Sequence, residues 1–307
     1  MPTTASAQQS SSMLNVSLPS GVSSANLGKR DKQTIAVQAM LDRTRHSPGV
    51  IDGLMGGNTR RAIQAYRQAN GLGSSGAIDQ QLIQSLVENA GQQVFQQYTI
   101  TSDDVNGPFT NIPSSFEQKA ELNRLSYTSP RELLAEKFHM DQDFLTALNP
   151  GVDFSNAGAT INVIAKGDGQ IPGNVARIEI RKSENAVVAL SSGGQVLASF
   201  PATIGSSEFP SPDGTMTVEA VAPEPKYYFS PEGRDWGPNE KLTIAAGPNN
   251  PVGGTWIDLS KEGYGIHGSP DPQLIGKTSS HGCVRLTNWD AEALAEAVES
   301  GVTVAFT

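Results

Sequence analysis

The chain has 307 residues, a net charge of −9 and a pI near 5.0. That balance argues against a nucleic-acid binder, which presents a basic face, and against attraction to an anionic membrane surface. No run of 18 apolar residues is available to span a bilayer. The length allows two or three domains with at least one sizeable core, and the single cysteine excludes an intrachain disulfide.

Residues 1–30 are mostly Ser, Thr, Ala, Gln and Asn with scattered small apolar residues. They bury too little surface to fold alone and are expected to form a disordered lead-in. They lack a basic n-region and an apolar h-region. Two explanations compete: a cytoplasmic protein, or a numbering that starts after a removed signal.

Residues 31–90 are expected to form a small helical unit. A helix over 33–43 carries Ile35, Val37, Ala39, Met40 and Leu41; a turn follows at 48–53; Asn58 is placed to cap a second helix bearing Ala62, Ile63 and Tyr66. Asp79 caps a third helix, in which Leu82, Ile83, Leu86 and Val87 make one apolar stripe. Val37-Gln38, Leu41, Ile51-Asp52-Gly53, Gly57, Thr59, Ala62-Ile63, Tyr66 and Gly76-Ala77-Ile78-Asp79 resemble the three-helix peptidoglycan-binding domain. An unrelated three-helix bundle would show similar stripes.

Residues 91–171 predict a strand at 98–101, a helix capped by Ser129 with Pro130 at its first position, a second helix over 141–148 and a strand at 160–164. Strand, helix, helix, strand with a terminal Leu148-Asn149-Pro150 resembles a lysin-motif module, a glycan-strand binder. The long segment 101–128 between its first strand and first helix departs from that pattern, and an α+β spacer is the alternative. His46 and His139, without acidic or cysteine neighbours in sequence, are expected to be packing or surface residues.

From 172 to 307 the chain becomes rich in β-structure. Strands are expected at 175–181, 186–190, 195–204 and 215–221 as a meander, with a late helix over 289–298 begun by Asn288, and a last strand at 302–306. The segment 222–258 is long and irregular, which in a compact domain points to a lid or binding loop. Its aromatics Tyr227, Tyr228, Phe229 and Trp236 either wall a cleft or pin the loop to the sheet.

The chemistry concentrates at Ile266-His267-Gly268 and Ser279-Ser280-His281-Gly282-Cys283-Val284-Arg285-Leu286. A thiol attacks as its thiolate, and an imidazole is the usual means of making one near neutral pH. Cys283 has two candidate bases, His267 sixteen positions upstream and His281 two positions upstream. Gly282 permits a tight turn that frees amide N–H groups to face a reacting carbonyl. His267, His281 and Cys283 also supply the N/S ligand count of a catalytic zinc, but the only nearby carboxylate is that of the loop residue Asp271. No metal or cofactor is therefore expected.

Together, His267-Gly268 and Ser280-His281-Gly282-Cys283-Val284-Arg285 resemble the signature of the L,D-transpeptidase family. The resemblance extends over 172–307 through Gly205, Pro212, Gly214 and Gly253-Gly254. It implies a mostly β catalytic domain, a β-sandwich with a short helix, behind the helical domain and the lysin-motif-like module. It further implies Cys283 as nucleophile, His267 as base and the Gly268 carbonyl as the group orienting that base. Backbone N–H of Gly282 and Cys283 would form the oxyanion hole; Ser280, His281 and Arg285 would support the site, with Arg285 alternatively meeting a substrate carboxylate.

The implied reaction is attack on the third residue of a peptidoglycan tetrapeptide stem, release of D-alanine and transfer to an amine of a second stem or of an envelope protein. The implied partners are stem peptides and glycan strands, and the implied location is the periplasm or cell envelope. Carbapenems are the expected inhibitors. An L,D-carboxypeptidase, another Cys–His amide hydrolase and a non-catalytic wall-binding protein remain the alternatives.

Overall fold

The computed structural model describes residues 14–205, 210–232, 237–280 and 282–307. The helical elements come first: α1 (Ser24–Leu27), α2 (Lys32–Arg43), α3 (Gly57–Ala69) and α4 (Gln80–Ala90). Asp31 and Asp79 cap α2 and α4 by accepting the amides of Thr34 and Leu82, which satisfies N–H groups the helix cannot. The second cap differs from expectation. Gly56 is the N-cap of α3 and Asn58 lies inside the helix. The Asn58 amide instead donates across to the Ile275 carbonyl, 2.8 Å away.

Next come β1 (Phe95–Thr99), α5 (Ser102–Asn106), α6 (Phe116–Ala120), α7 (Pro130–Lys137), α8 (Gln142–Leu148) and β2 (Thr160–Ile164). β1 pairs antiparallel with β2 and stops earlier than expected, because Thr101 caps α5. Ser129 caps α7 as expected, with Pro130 in the first turn.

A single apolar core runs from Val16 through the helices to Ile164. It takes in Ile35, Leu41, Leu82, Phe144 and Ile161, so the two N-terminal segments pack as one body. Within the expected lead-in, Val16 and Leu27 are buried in that core. Leu27 reaches it from α1, a helix the composition of 1–30 did not suggest.

The remaining elements are β3 (Arg177–Arg181), β4 (Ala186–Leu190), β5 (Val196–Pro201), β6 (Gly214–Pro223), β7 (Tyr227–Phe229), β8 (Leu242–Ile244), β9 (Thr255–Leu259), β10 (Gly265–His267), β11 (Val284–Arg285), α9 (Asn288–Ala297) and β12 (Thr303–Phe306). Eight of these strands follow the order β11-β10-β9-β6-β12-β3-β4-β5. This is no simple meander, since β12 lies parallel to β3 and β10 parallel to β11. β6 pairs with β12 through its first half and with β9 through its second, shifting register between Val218 and Ala220. Such an irregularity bends a strand. Beyond β5, Thr203 exchanges two 2.9 Å backbone bonds with Arg285 and joins the far ends of the order. The enclosed core holds Ile178, Val187, Phe200, Ile257, Ile266, Val284 and Leu294.

β7 and β8 form a separate hairpin inside the irregular segment. It leaves and rejoins the sheet where β6 ends and β9 begins, and Thr255 and Trp256 of β9 lie beside Pro223 and Ala222. His267 is paired with that same Trp256. The hairpin therefore rises from the sheet edge that carries His267. Phe116 of α6 stacks against Tyr227 and Phe229 at 5.9 and 5.5 Å, and Arg124 pairs with Glu224. The long segment 101–128 thus grips the loop of the following domain.

Candidate active site

Three β-strands present the site. His267 ends β10 and is 3% exposed. Its Nδ1 lies 2.7 Å from the Gly268 carbonyl oxygen, which can only accept, so Nδ1 carries the hydrogen and Nε2 keeps its lone pair. Burial foremost, and then the nearby Arg285 charge, lower the His267 pKa to about 3 against the opposing carbonyls of Gly268 and Val252. The imidazole is neutral throughout the physiological range. Its ring stacks on Trp256 of β9, centroids 5.4 Å apart. A side chain at Gly265 would enter that same indole, its Cβ 2.4 Å from the ring.

Cys283 immediately precedes β11, whose register sets Val284 against Ile266 and Arg285 against His267. The thiol thus stands just ahead of the strand beside the histidine, two residues before the one paired with it. Strand alternation puts positions 283 and 285 on one face. The thiol is part-exposed and donates to the Gly263 carbonyl at 3.7 Å, a weak S–H bond that the protonated form makes.

The turn before the thiol is braced by side chains rather than left open. Ser280, 3% exposed, donates from Oγ to the Cys283 carbonyl at 2.5 Å and receives the Gly282 amide at 3.2 Å. The Gly282 N–H is therefore engaged within the motif, on Ser280 Oγ. Gly282 has φ +115°, and a Cβ there would lie 3.3 Å from the Tyr264 ring, so a glycine suits the position. Ser211 Oγ donates to the Gly282 carbonyl at 2.7 Å and receives the Gly205 amide at 3.0 Å. His281 and Trp236 lie outside the described residues.

Three contributors to the site have no role in the sequence pattern and a fourth has a different role from the one expected. Trp256 and Tyr264 shape the histidine and the turn, and Ser211 ties the turn to the segment after β5. The fourth, Asn288, is not a helix cap: Thr287 caps α9, accepting the Asp290 amide. Trp256 alone carried a signal, since alternation along a strand next to Ile266-His267-Gly268 puts an aromatic beside the histidine. His139 does have an acidic neighbour, Asp42 at 2.8 Å, and it stacks on Trp289 with centroids 5.0 Å apart. It packs at the junction of the two bodies, as does His46, whose pKa burial lowers to about 4. A cleft of about 610 Å³ opens between α7–α8 and the loop 270–273 that follows the histidine, lined in part by Arg131, Asp141, Asn249 and Gln273.

Two family models match this chain. Residues 175–305 match the YkuD family, described as the L,D-transpeptidase catalytic domain, and residues 30–86 match the family described as "Putative peptidoglycan binding domain". The chain is 26% identical over 176 residues to the "Putative L,D-transpeptidase YkuD" of Bacillus licheniformis, covering 57% of this chain and 92% of that protein. It is 31% identical over 186 residues to the "Probable L,D-transpeptidase YbiS" of Escherichia coli K12, covering 58% of this chain and 60% of that protein. Among solved structures, L,D-transpeptidase 3 from Mycobacterium tuberculosis aligns with 49% of this chain and 75% of its own, at TM-score 0.37 and 17% identity. The chain is thus similar to L,D-transpeptidase catalytic domains over residues 175–305 and to a putative peptidoglycan-binding domain over residues 30–86.

Proposed function

We propose that Cys283 and His267 carry out L,D-transpeptidation on peptidoglycan stem peptides through a thioester. The observation that bears most weight is the placement of His267, its Nδ1–H on the Gly268 carbonyl and its strand paired with the one that Cys283 precedes. In the first step Nε2 accepts the Cys283 S–H proton while sulfur bonds to the carbonyl carbon of the third stem residue. The tetrahedral centre collapses as His267 returns that proton to the leaving nitrogen, and D-alanine departs with both electrons of the broken C–N bond. In the second step an amine attacks the thioester, gives its proton to Nε2 and forms a new amide. The thiolate leaves and recovers the proton.

The acceptor we favour is the side-chain amine of a neighbouring stem, which yields a 3→3 cross-link; a lysine of an envelope protein would give anchoring instead. Arg285, beside His267, supplies a fixed positive charge that keeps the imidazole neutral between turnovers. The domain at 30–86 and the α+β segment 91–171 would hold the catalytic domain against glycan strands, which raises local substrate concentration. The 610 Å³ cleft beside the His267 loop offers a path between the two bodies. The working location is the cell envelope.

The test is incubation with a disaccharide-tetrapeptide, beside Cys283→Ala, with products read by mass spectrometry. Cross-linked dimers lacking one D-alanine, absent with the variant, are the expected result. Tripeptide monomers alone would replace transpeptidation by carboxypeptidation. No turnover by a folded protein would overturn the enzymatic reading. A carbapenem is expected to add its mass to Cys283.

A further inference from the structure

Asn288 joins the backbone around His267 to the N-terminal body. Its Oδ1 accepts the amides of Gly254 and Ser269, both at 3.1 Å. Its Nδ2 donates to Glu136 Oε2 on α7 at 3.0 Å and to the Pro248 carbonyl at 3.2 Å. The four contacts use both faces of a carboxamide, two donors toward its oxygen and two acceptors toward its nitrogen, which fixes its orientation. The backbone is shaped to admit it. A Cβ at Gly253 or Gly268 would lie 2.2 or 2.3 Å from Asn288 Oδ1.

The Ser269 amide belongs to the peptide unit whose carbonyl is that of Gly268. That peptide is planar, so gripping its N–H also aims its C=O, the acceptor of the His267 Nδ1–H. An unbroken path runs from Glu136 to the Asn288 amide, to the Gly268–Ser269 peptide and to the imidazole. The rest of the first turn of α9 docks on the N-terminal body too. Trp289 stacks on His139, and Asp290 Oδ2 receives Ser47 Oγ at 2.9 Å.

We propose that Asn288 is the positioning residue for the His267 base and that Glu136 of the N-terminal body sets Asn288, so that the catalytic centre takes its working geometry only when the two bodies are docked. The proposal rests on the reading of His267 as the base. A purely structural role would make Asn288 a brace for the loop and leave the histidine indifferent to Glu136.

The experiment uses the full chain in five forms: wild type, Asn288→Ala, Glu136→Leu, Glu136→Gln and the Glu136→Leu/Asn288→Ala double variant. Two readouts need no stem peptide: the ¹⁵N and ¹H resonances of the His267 ring, and the rate of Cys283 alkylation by iodoacetamide. Near-UV circular dichroism establishes that each form is folded. Asn288→Ala and Glu136→Leu are each expected to lose the exchange-protected Nδ1–H signal and to slow alkylation on the order of tenfold or more, as displacement of a catalytic group does.

Glu136→Gln keeps an acceptor for Asn288 Nδ2 and is expected to restore both readouts. The double variant should match Asn288→Ala alone, because the residues act in series. A folded Asn288→Ala or Glu136→Leu with an unchanged His267 signal and alkylation rate overturns the proposal, as do additive losses in the double variant. If Asn288→Ala does not fold, Glu136→Leu, which lies outside the catalytic domain, decides. Absence of transpeptidation by the wild type would refute the proposed reaction and leave these two readouts intact, so the failures are separable.

Discussion

Replacing Glu136 by glutamine should stabilise the protein, and increasingly so as pH rises. Burial raises the Glu136 pKa from its ordinary 4.5 to about 8; the Asn288 hydrogen bond opposes this and the neighbouring Glu132 charge adds to it. A carboxyl whose folded pKa is raised contributes stability that is complete below 4.5 and is lost as pH climbs through 8. At pH 7 the folded chain holds a proton that the unfolded chain has released. Two to three pH units at about 1.4 kcal/mol each amount to roughly 3 kcal/mol. The glutamine side chain keeps the shape and the acceptor and removes the titration. Thermal unfolding of the two proteins from about pH 4.5 to about pH 8.5, a range that brackets both limiting values, is expected to coincide at the acid end and separate toward the alkaline end. The separation at pH 7 should be several degrees, since about 1 kcal/mol moves the midpoint roughly 2–4 °C in a domain of this size. Parallel curves across the whole range would refute the claim that Glu136 is buried and protonated at the domain junction.

Three further outcomes follow from the same geometry. Gly268→Ala places a methyl 2.3 Å from Asn288 Oδ1; overpacking of this kind costs about 1–3 kcal/mol, and the displaced carbonyl should lower kcat well beyond what lost stability explains. Phe116→Ala removes two aromatic contacts to the β7–β8 hairpin, each worth about 0.5–1.5 kcal/mol, so limited proteolysis should cut within 224–250 faster than in the wild type. On the acid side, His267 and His46 are depressed below 6.5, so the stability they permit above that pH should fall as pH drops toward their folded values.

Local chemistry made much of this structure readable. Asp79, Ser129 and Pro130 announce helix starts because their roles depend on neighbours three residues away or fewer. The alternation around 175–181 and 186–190 marks strands for the same reason. Cys283, His267 and Ser280 stand out because few residue types carry thiol chemistry, and one cysteine in 307 leaves little choice. What escaped the sequence depends on distant contacts. Asn58 and Asn288 both resemble helix caps by position, yet each carboxamide is used across the junction between the two bodies. Phe116 gives no local hint that it clasps Tyr227 and Phe229 from the following domain. The order of the sheet was equally hidden, because β12 enters between β3 and β6 only once the whole domain is assembled.

The account stands on a covalent bond between Cys283 and the stem peptide. The direct measurement is intact-protein mass spectrometry of the wild type mixed with a disaccharide-tetrapeptide and quenched in acid within the first turnovers, followed by peptide mapping. The account predicts an added mass equal to the substrate minus D-alanine, located on Cys283 and missing from Cys283→Ala and His267→Ala. Cross-linked product forming with no such adduct, or an adduct on another residue, would contradict it.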